Sequence, residues 1–97
     1  MGCLYEKLKQ EKETILTAAR RHHATNVRLF GSVVRGEDHD ASDVDFLVDF
    51  LPGSTLFDQI ELIDELSRIL GRKVDVVSSR ALNKHLRQRV LDEAISL

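Results

Sequence analysis

Apolar side chains at Leu4, Leu8, Ile15, Leu16 and Ala19 recur at helical spacing through a stretch filled mainly with Lys, Glu and Gln. The pattern predicts an amphipathic surface helix over about residues 4–23, broken by Ala24-Thr25-Asn26. Val27-Arg28-Leu29-Phe30 is short and partly β-branched, and Gly31-Ser32 follows it, as at a strand that ends in a turn. Residues 33–36 predict one helical turn, and the polar run 36–42 a loop. From Val44 to Phe50 the chain alternates: Val44, Phe46, Val48 and Phe50 point one way, and Asp43, Asp45, Leu47 and Asp49 the other. Pro52-Gly53-Ser54 predicts a turn with Ser54 as a helix N-cap. The stripe Leu56, Phe57, Ile60, Ile63, Leu66 and Leu70 predicts the helix itself, with Gly71 as its stop. Lys73-Val74-Asp75-Val76-Val77 reads as a third strand. Ser78 or Ser79 can cap a last helix that carries Leu82, Leu86, Val90, Ala94 and Leu97 on one face. This order of elements predicts an α/β layering (α+β in some schemes) around a small, mixed, three-stranded sheet.

At 97 residues the chain suffices for one domain, spanning 1–97, and its 42% hydrophobic and 31% charged residues are ordinary for a soluble protein. No apolar run approaches the ~20 residues needed to cross a membrane. Gly2 matches the glycine of a myristoylation signal, but Glu6 stands where that signal needs Ser or Thr. With no apolar secretory segment either, the expected location is the cytoplasm. Cys3 is the only cysteine, which excludes an internal disulfide and fits a reducing compartment. A net charge of −2 argues against holding nucleic acid through phosphate contacts. The basic clusters Arg20-Arg21-His22-His23 and Arg80 to Arg89 read as solvated helix faces.

Asp43-Val44-Asp45 carries the candidate chemistry. Residues i and i+2 of a strand share a face and lie about 6.5–7 Å apart. Two carboxylates about 6 Å apart repel by about 2–3 kcal/mol at an effective dielectric near 20, and a divalent cation reverses that sign. Magnesium prefers such oxygen ligands, and phosphoryl transfer with two ions needs them bridged by carboxylate and phosphate oxygens. Taken alone, Asp-x-Asp is common and reads as a pair of solvated acids. Gly31-Ser32 taken alone is a turn. Together they change the reading. A glycine at a strand end lets backbone N–H groups approach a ligand, and Ser32 heads a helical turn whose N–H groups favour an anion. A triphosphate held there presents its α-phosphorus to metals on the next strand.

Gly31-Ser32, ten intervening residues and Asp43-Val44-Asp45 resemble the signature of the polymerase-β-type nucleotidyltransferase superfamily. Gly31-Ser32-x-x-Arg35-Gly36 followed by Ser42-Asp43-x-Asp45 is similar to its minimal nucleotidyltransferase branch, short antitoxins paired with HEPN-domain toxins. The resemblance implies the nucleotidyltransferase fold, two Mg2+ ions and ATP as donor. It also implies AMP transfer to a tyrosine of a HEPN-type toxin, and hence a hetero-oligomer with that partner. It gives Asp43 and Asp45 as metal-binding catalytic residues, and it adds a third carboxylate on a later strand, which Asp75 matches. Asp75 would complete the metal site or take the acceptor's proton, provided it shares the Asp43/Asp45 face; otherwise it is a strand acid facing water beside Lys73. Gly31 and Ser32 would bind the nucleotide's tail. Arg35 has two uses open to it, phosphate neutralisation or clamping the 37–42 loop through Asp38 or Asp40. Ser42 serves the turn before the strand, Asp49 stays outside the site, and His22, His23, His39 and His85 read as surface residues. Two other functions fit the same residues: a non-enzymatic antitoxin that neutralises by contact, and nucleotidyl transfer to a small molecule such as an aminoglycoside. A nucleic-acid module using Arg80, Lys84, Arg87 and Arg89 lacks stacking aromatics and conflicts with the acidic balance.

Overall fold

A computed structural model describes residues 3–31 and 43–97, with side chains from residue 6. Ser32, Arg35, the predicted helical turn 33–36, the 36–42 loop and Ser42 lie outside the described residues, as do the side chains of Leu4 and Tyr5. The elements are α1 (Cys3–Gln10), α2 (Lys12–Arg21), β1 (Ala24–Phe30), β2 (Val44–Phe50), α3 (Leu56–Leu70), β3 (Val74–Ser78), a 3-10 turn (Ser79–Ala81), α4 (Lys84–Glu93) and β4 (Ile95–Ser96).

The expected first helix is two. The backbone at Glu11 takes φ −92 and ψ 10, the bridge between helical turns, and nothing in the polar run around it signals a break. The sheet has four strands in the order β3-β2-β1-β4, one more than the periodicity predicts. The added strand consists of Ile95 and Ser96, paired antiparallel with Leu29 and Arg28. Two residues cannot display an alternation, so Leu97 reads from sequence as the end of the last helix. Ser54 is not the cap of α3. Thr55 is, and its N–H donates to the Asp58 carboxylate at 2.9 Å, one half of a capping box. Likewise Asn83, rather than Ser78 or Ser79, caps α4 by accepting from the Leu86 N–H, while Ser78 caps the 3-10 turn. Gly71 closes α3 in the left-handed conformation, φ 67.

One face of the sheet holds the main core. Val27, Leu29, Val44, Phe46, Val48, Val74 and Val76 pack with Leu8, Ile15 and Ala18 from α1 and α2 and with Leu62, Leu66 and Leu70 from α3. Burying each such Val, Leu or Phe contributes about 1.5–3 kcal/mol. Leu47 and Val90 are buried outside this cluster, on the opposite face, where α4 lies. This is why Leu47 tolerates a position among acids: its own side of β2 is half-covered.

The register of β1 contains a bulge. Thr25 stands opposite Asp49 but Arg28 opposite Leu47, so β1 has one residue more than β2 between these pairs. Asn26 absorbs the irregularity at φ 52, a conformation that asparagine tolerates better than most residues. Without the extra residue Val27 would face Leu47, and every later side chain of β1 would change sides.

Candidate functional site

β2 and β3 run parallel, with Asp45 opposite Asp75. Partners in register share a face, so Asp75 falls on the Asp45 side and away from the core residues Val74 and Val76. Asp43 stands immediately before β2, exposed, with Lys73 Nζ 3.9 Å from its Oδ2. An exposed pair at that distance is weak and easily screened.

Gly31 meets this face from the end of β1. Phe30 is the register partner of Asp45, and Gly31 follows at φ 82. A Cβ on Gly31 would lie 2.5 Å from Asp45 Oδ2 and 3.3 Å from its Cγ. The bare Cα thus leaves the space in which the Asp45 carboxylate sits. In the sequence, glycine here suits close approach of a ligand; the structure adds room for the acid itself. Ser32 and Arg35 are outside the described residues, so the tail-binding half of the expected site is represented by Gly31.

The donor set suits a hard divalent cation: three carboxylates, two on facing positions of neighbouring strands and one two residues before. Among the described residues, however, no three His, Cys, Asp or Glu side chains are gathered closely enough to hold an ion. Like charges at such positions repel, and a divalent cation would reverse that sign.

Asp49 lies further along the same face and belongs to a separate network. It accepts from Asn26 Nδ2 at 2.8 Å, from Arg28 Nη2 at 2.9 Å and from the Ser79 hydroxyl. Partial burial raises its pKa, but the bonds from Ser79, Asn26 and Arg28 together outweigh that, leaving it below the ordinary 3.8. Arg28 Nη1 is buried without a partner among the described residues, so Asp49 is what compensates the Arg28 charge. Asp49→Asn is expected to lower stability at pH 7 by about 1–3 kcal/mol. Because the folded pKa is depressed, this stabilisation is present above the ordinary value of 3.8 and is lost as pH falls through the folded value. Urea titrations of both proteins should therefore converge at acid pH; a constant gap would contradict the assignment.

His22 corrects the surface reading. Its side chain is only 16% exposed and its Nε2 lies 2.9 Å from Glu65 Oε1, joining α2 to α3 beside the Arg21–Glu65 pair. His23, at 59%, is a surface residue near Asp58. The apolar face of α4 with Leu86 and Val90 was legible in the sequence, but Arg89 and Glu93 beside it were missed. Leu86, Arg89, Val90 and Glu93 line a pocket with Phe30, Gly31 and Asp45. The spacing i, i+3, i+4, i+7 was the available signal, hidden by reading Arg89 only as part of a basic cluster.

No helix among the described residues is long and apolar enough to cross a membrane. Residues 12–97 match the family described as Polymerase beta, Nucleotidyltransferase. The chain is 40% identical over 91 residues to the protein adenylyltransferase MntA of Thermococcus cleftensis, covering 89% of this chain and 92% of that protein. Among solved structures it resembles one provisionally described as a minimal nucleotidyltransferase, with 48% identity, a TM-score of 0.87 and coverage of 95% and 94% of the two chains. It also resembles a chain from a toxin–antitoxin structure with AMP-PNP, at 26% identity and a TM-score of 0.75, over 88% of this chain and 70% of that one.

Proposed function

Because the chain belongs to the polymerase β nucleotidyltransferase family, we propose that it moves AMP from ATP to a protein hydroxyl, the tyrosine of a HEPN-type toxin, as the antitoxin of the pair. The observation that carries the reading is the Asp45–Asp75 register pair with Gly31 against Asp45, in a chain 40% identical to a protein adenylyltransferase. The AMP-PNP structure among its neighbours supports an adenine nucleotide as donor, and its being a toxin–antitoxin structure supports the partner.

In this proposal Asp43, Asp45 and Asp75 hold magnesium. When bound, the metal supplies charge neutralisation along the triphosphate and polarises the acceptor hydroxyl. Gly31 keeps the Asp45 carboxylate in place, and with Ser32 it offers backbone and hydroxyl donors to the phosphate tail. Arg35 adds positive charge there or steadies the 37–42 loop. Asp75, on the β3 side, is placed to take the acceptor's proton. Such transfer depends on positioning and charge more than on covalent help from the protein. The chain acts as a single domain in the cytoplasm, within a hetero-oligomer whose partner supplies much of the acceptor's binding.

Incubating chain and toxin with MgATP labelled at the α-phosphate should label the toxin, whereas γ-label should leave with pyrophosphate. Asp43→Asn should abolish the transfer. An unlabelled toxin would sink the proposal, and neutralisation surviving Asp43→Asn would point to an antitoxin that acts by contact.

A further inference from the structure

The acids do not account for the pocket that opens on the other side of Asp45. It has a volume of about 390 Å3. The sheet contributes Phe30, Gly31 and Asp45; α4 contributes Leu86, Arg89, Val90 and Glu93. Leu86 is 45% exposed. Arg89 is also exposed and forms no ion pair among the described residues. Its neighbour Arg87 differs, since its Nε donates to the Ser79 carbonyl at 3.1 Å. Glu93 is itself partnered.

The strand order gives the pocket a direction. Asp75 is on β3, Asp45 on β2 and Phe30 on β1, and the sheet runs β3-β2-β1-β4. Asp75 and the pocket therefore flank Asp45 on opposite sides. In an in-line displacement the attacking and leaving oxygens also lie on opposite sides of the phosphorus. If the acceptor comes from the Asp75 side, the leaving group departs over Gly31 toward α4.

Building on the nucleotidyltransferase reading above, we propose that this pocket binds the β- and γ-phosphates and that Arg89 is the cation that holds them and the departing pyrophosphate. The acceptor oxygen bonds to the α-phosphorus, and the bond from that phosphorus to the α–β bridging oxygen breaks. Its electrons leave with pyrophosphate, and the acceptor's proton passes to Asp75. A guanidinium suits the leaving side because its planar donors engage two phosphate oxygens at once. An exposed position on α4 lets it follow the product outward.

The test compares Arg89→Ala, Arg89→Lys and, as control, Arg87→Ala. Calorimetry would measure binding of a non-hydrolysable ATP analogue, pyrophosphate and AMP, each with magnesium, and thermal melts would check folding. Arg89→Ala should weaken the analogue and pyrophosphate about tenfold or more and leave AMP unchanged, because AMP has no β- or γ-phosphate. Arg89→Lys should fall between, keeping charge without the planar fork, and Arg87→Ala should match the parent. Unchanged analogue affinity in Arg89→Ala overturns the proposal, as does an equal loss for AMP, which would make the pocket a nucleoside site. Wild-type protein that transfers no label fails the broader reading instead, so the two failures are distinguishable.

Discussion

Gly31→Ala should cut nucleotidyl transfer about 100-fold or more while lowering stability by only about 1–2 kcal/mol. The stability loss comes from a φ of 82, where a Cβ is disfavoured. The larger loss comes from the neighbour that must move. The new Cβ would lie 2.5 Å from Asp45 Oδ2, the tip of a short side chain that yields by rotating. The fold therefore survives and the carboxylate is displaced, and a shift of about 1 Å in a positioned group is enough for such a drop in rate. Label transfer and urea unfolding measured on one preparation would check both halves. A variant as active as the parent would show that the Asp45 position does not govern the chemistry.

Asp45→Asn should cost more in activity, about 10³-fold or more, and should leave stability unchanged or raise it by up to about 1 kcal/mol. The sign of the second effect follows from the register. Asp45 and Asp75 stand opposite one another on neighbouring strands, and like charges so placed destabilise a sheet. Removing one charge relieves that repulsion, and Asn keeps an acceptor oxygen for the further interaction that Asp45 makes. A protein that tolerates such a pair gives up stability for function at that point. Thermal melts without divalent ions would detect the gain; a clear loss of stability would assign Asp45 a structural duty instead.

The sequence showed most of what positions these groups because the relevant signals are local. Alternation through β2 put Asp45 opposite the core, and Val74 and Val76 did the same for Asp75 on β3. Whether those two strands brought their acids to one side depended on pairing, which no local pattern states. The register Asp45 to Asp75 answered it. The bulge at Asn26 was illegible for a similar reason, since one left-handed residue leaves little trace in composition. Yet it is what turns Arg28 toward Asp49. β4 was too short to show a period, and the cap of α3 went to Thr55 because the reciprocal acid is Asp58, three residues on. Arg89 was hidden by its company, as one of four Lys and Arg residues between positions 80 and 89 whose simplest account is solvation.

The two parallel strands begin, rather than finish, at the acidic edge of the sheet: Val44 and Val74 are paired at their first residues. α3 carries the chain back from the far rim, so Pro52-Gly53-Ser54 lies about 20 Å from the carboxylates, a strand's length away. A methyl group on Gly53 would meet no atom within 4 Å, although a φ of 91 holds that position to glycine while its neighbours vary. New material can be grafted into that turn, a fused peptide or a longer excursion, without crowding the chemistry. The link Arg72-Lys73 has no such freedom, because it enters β3 beside Asp43. Diversification of this small scaffold thus has open ground along one rim and almost none along the other.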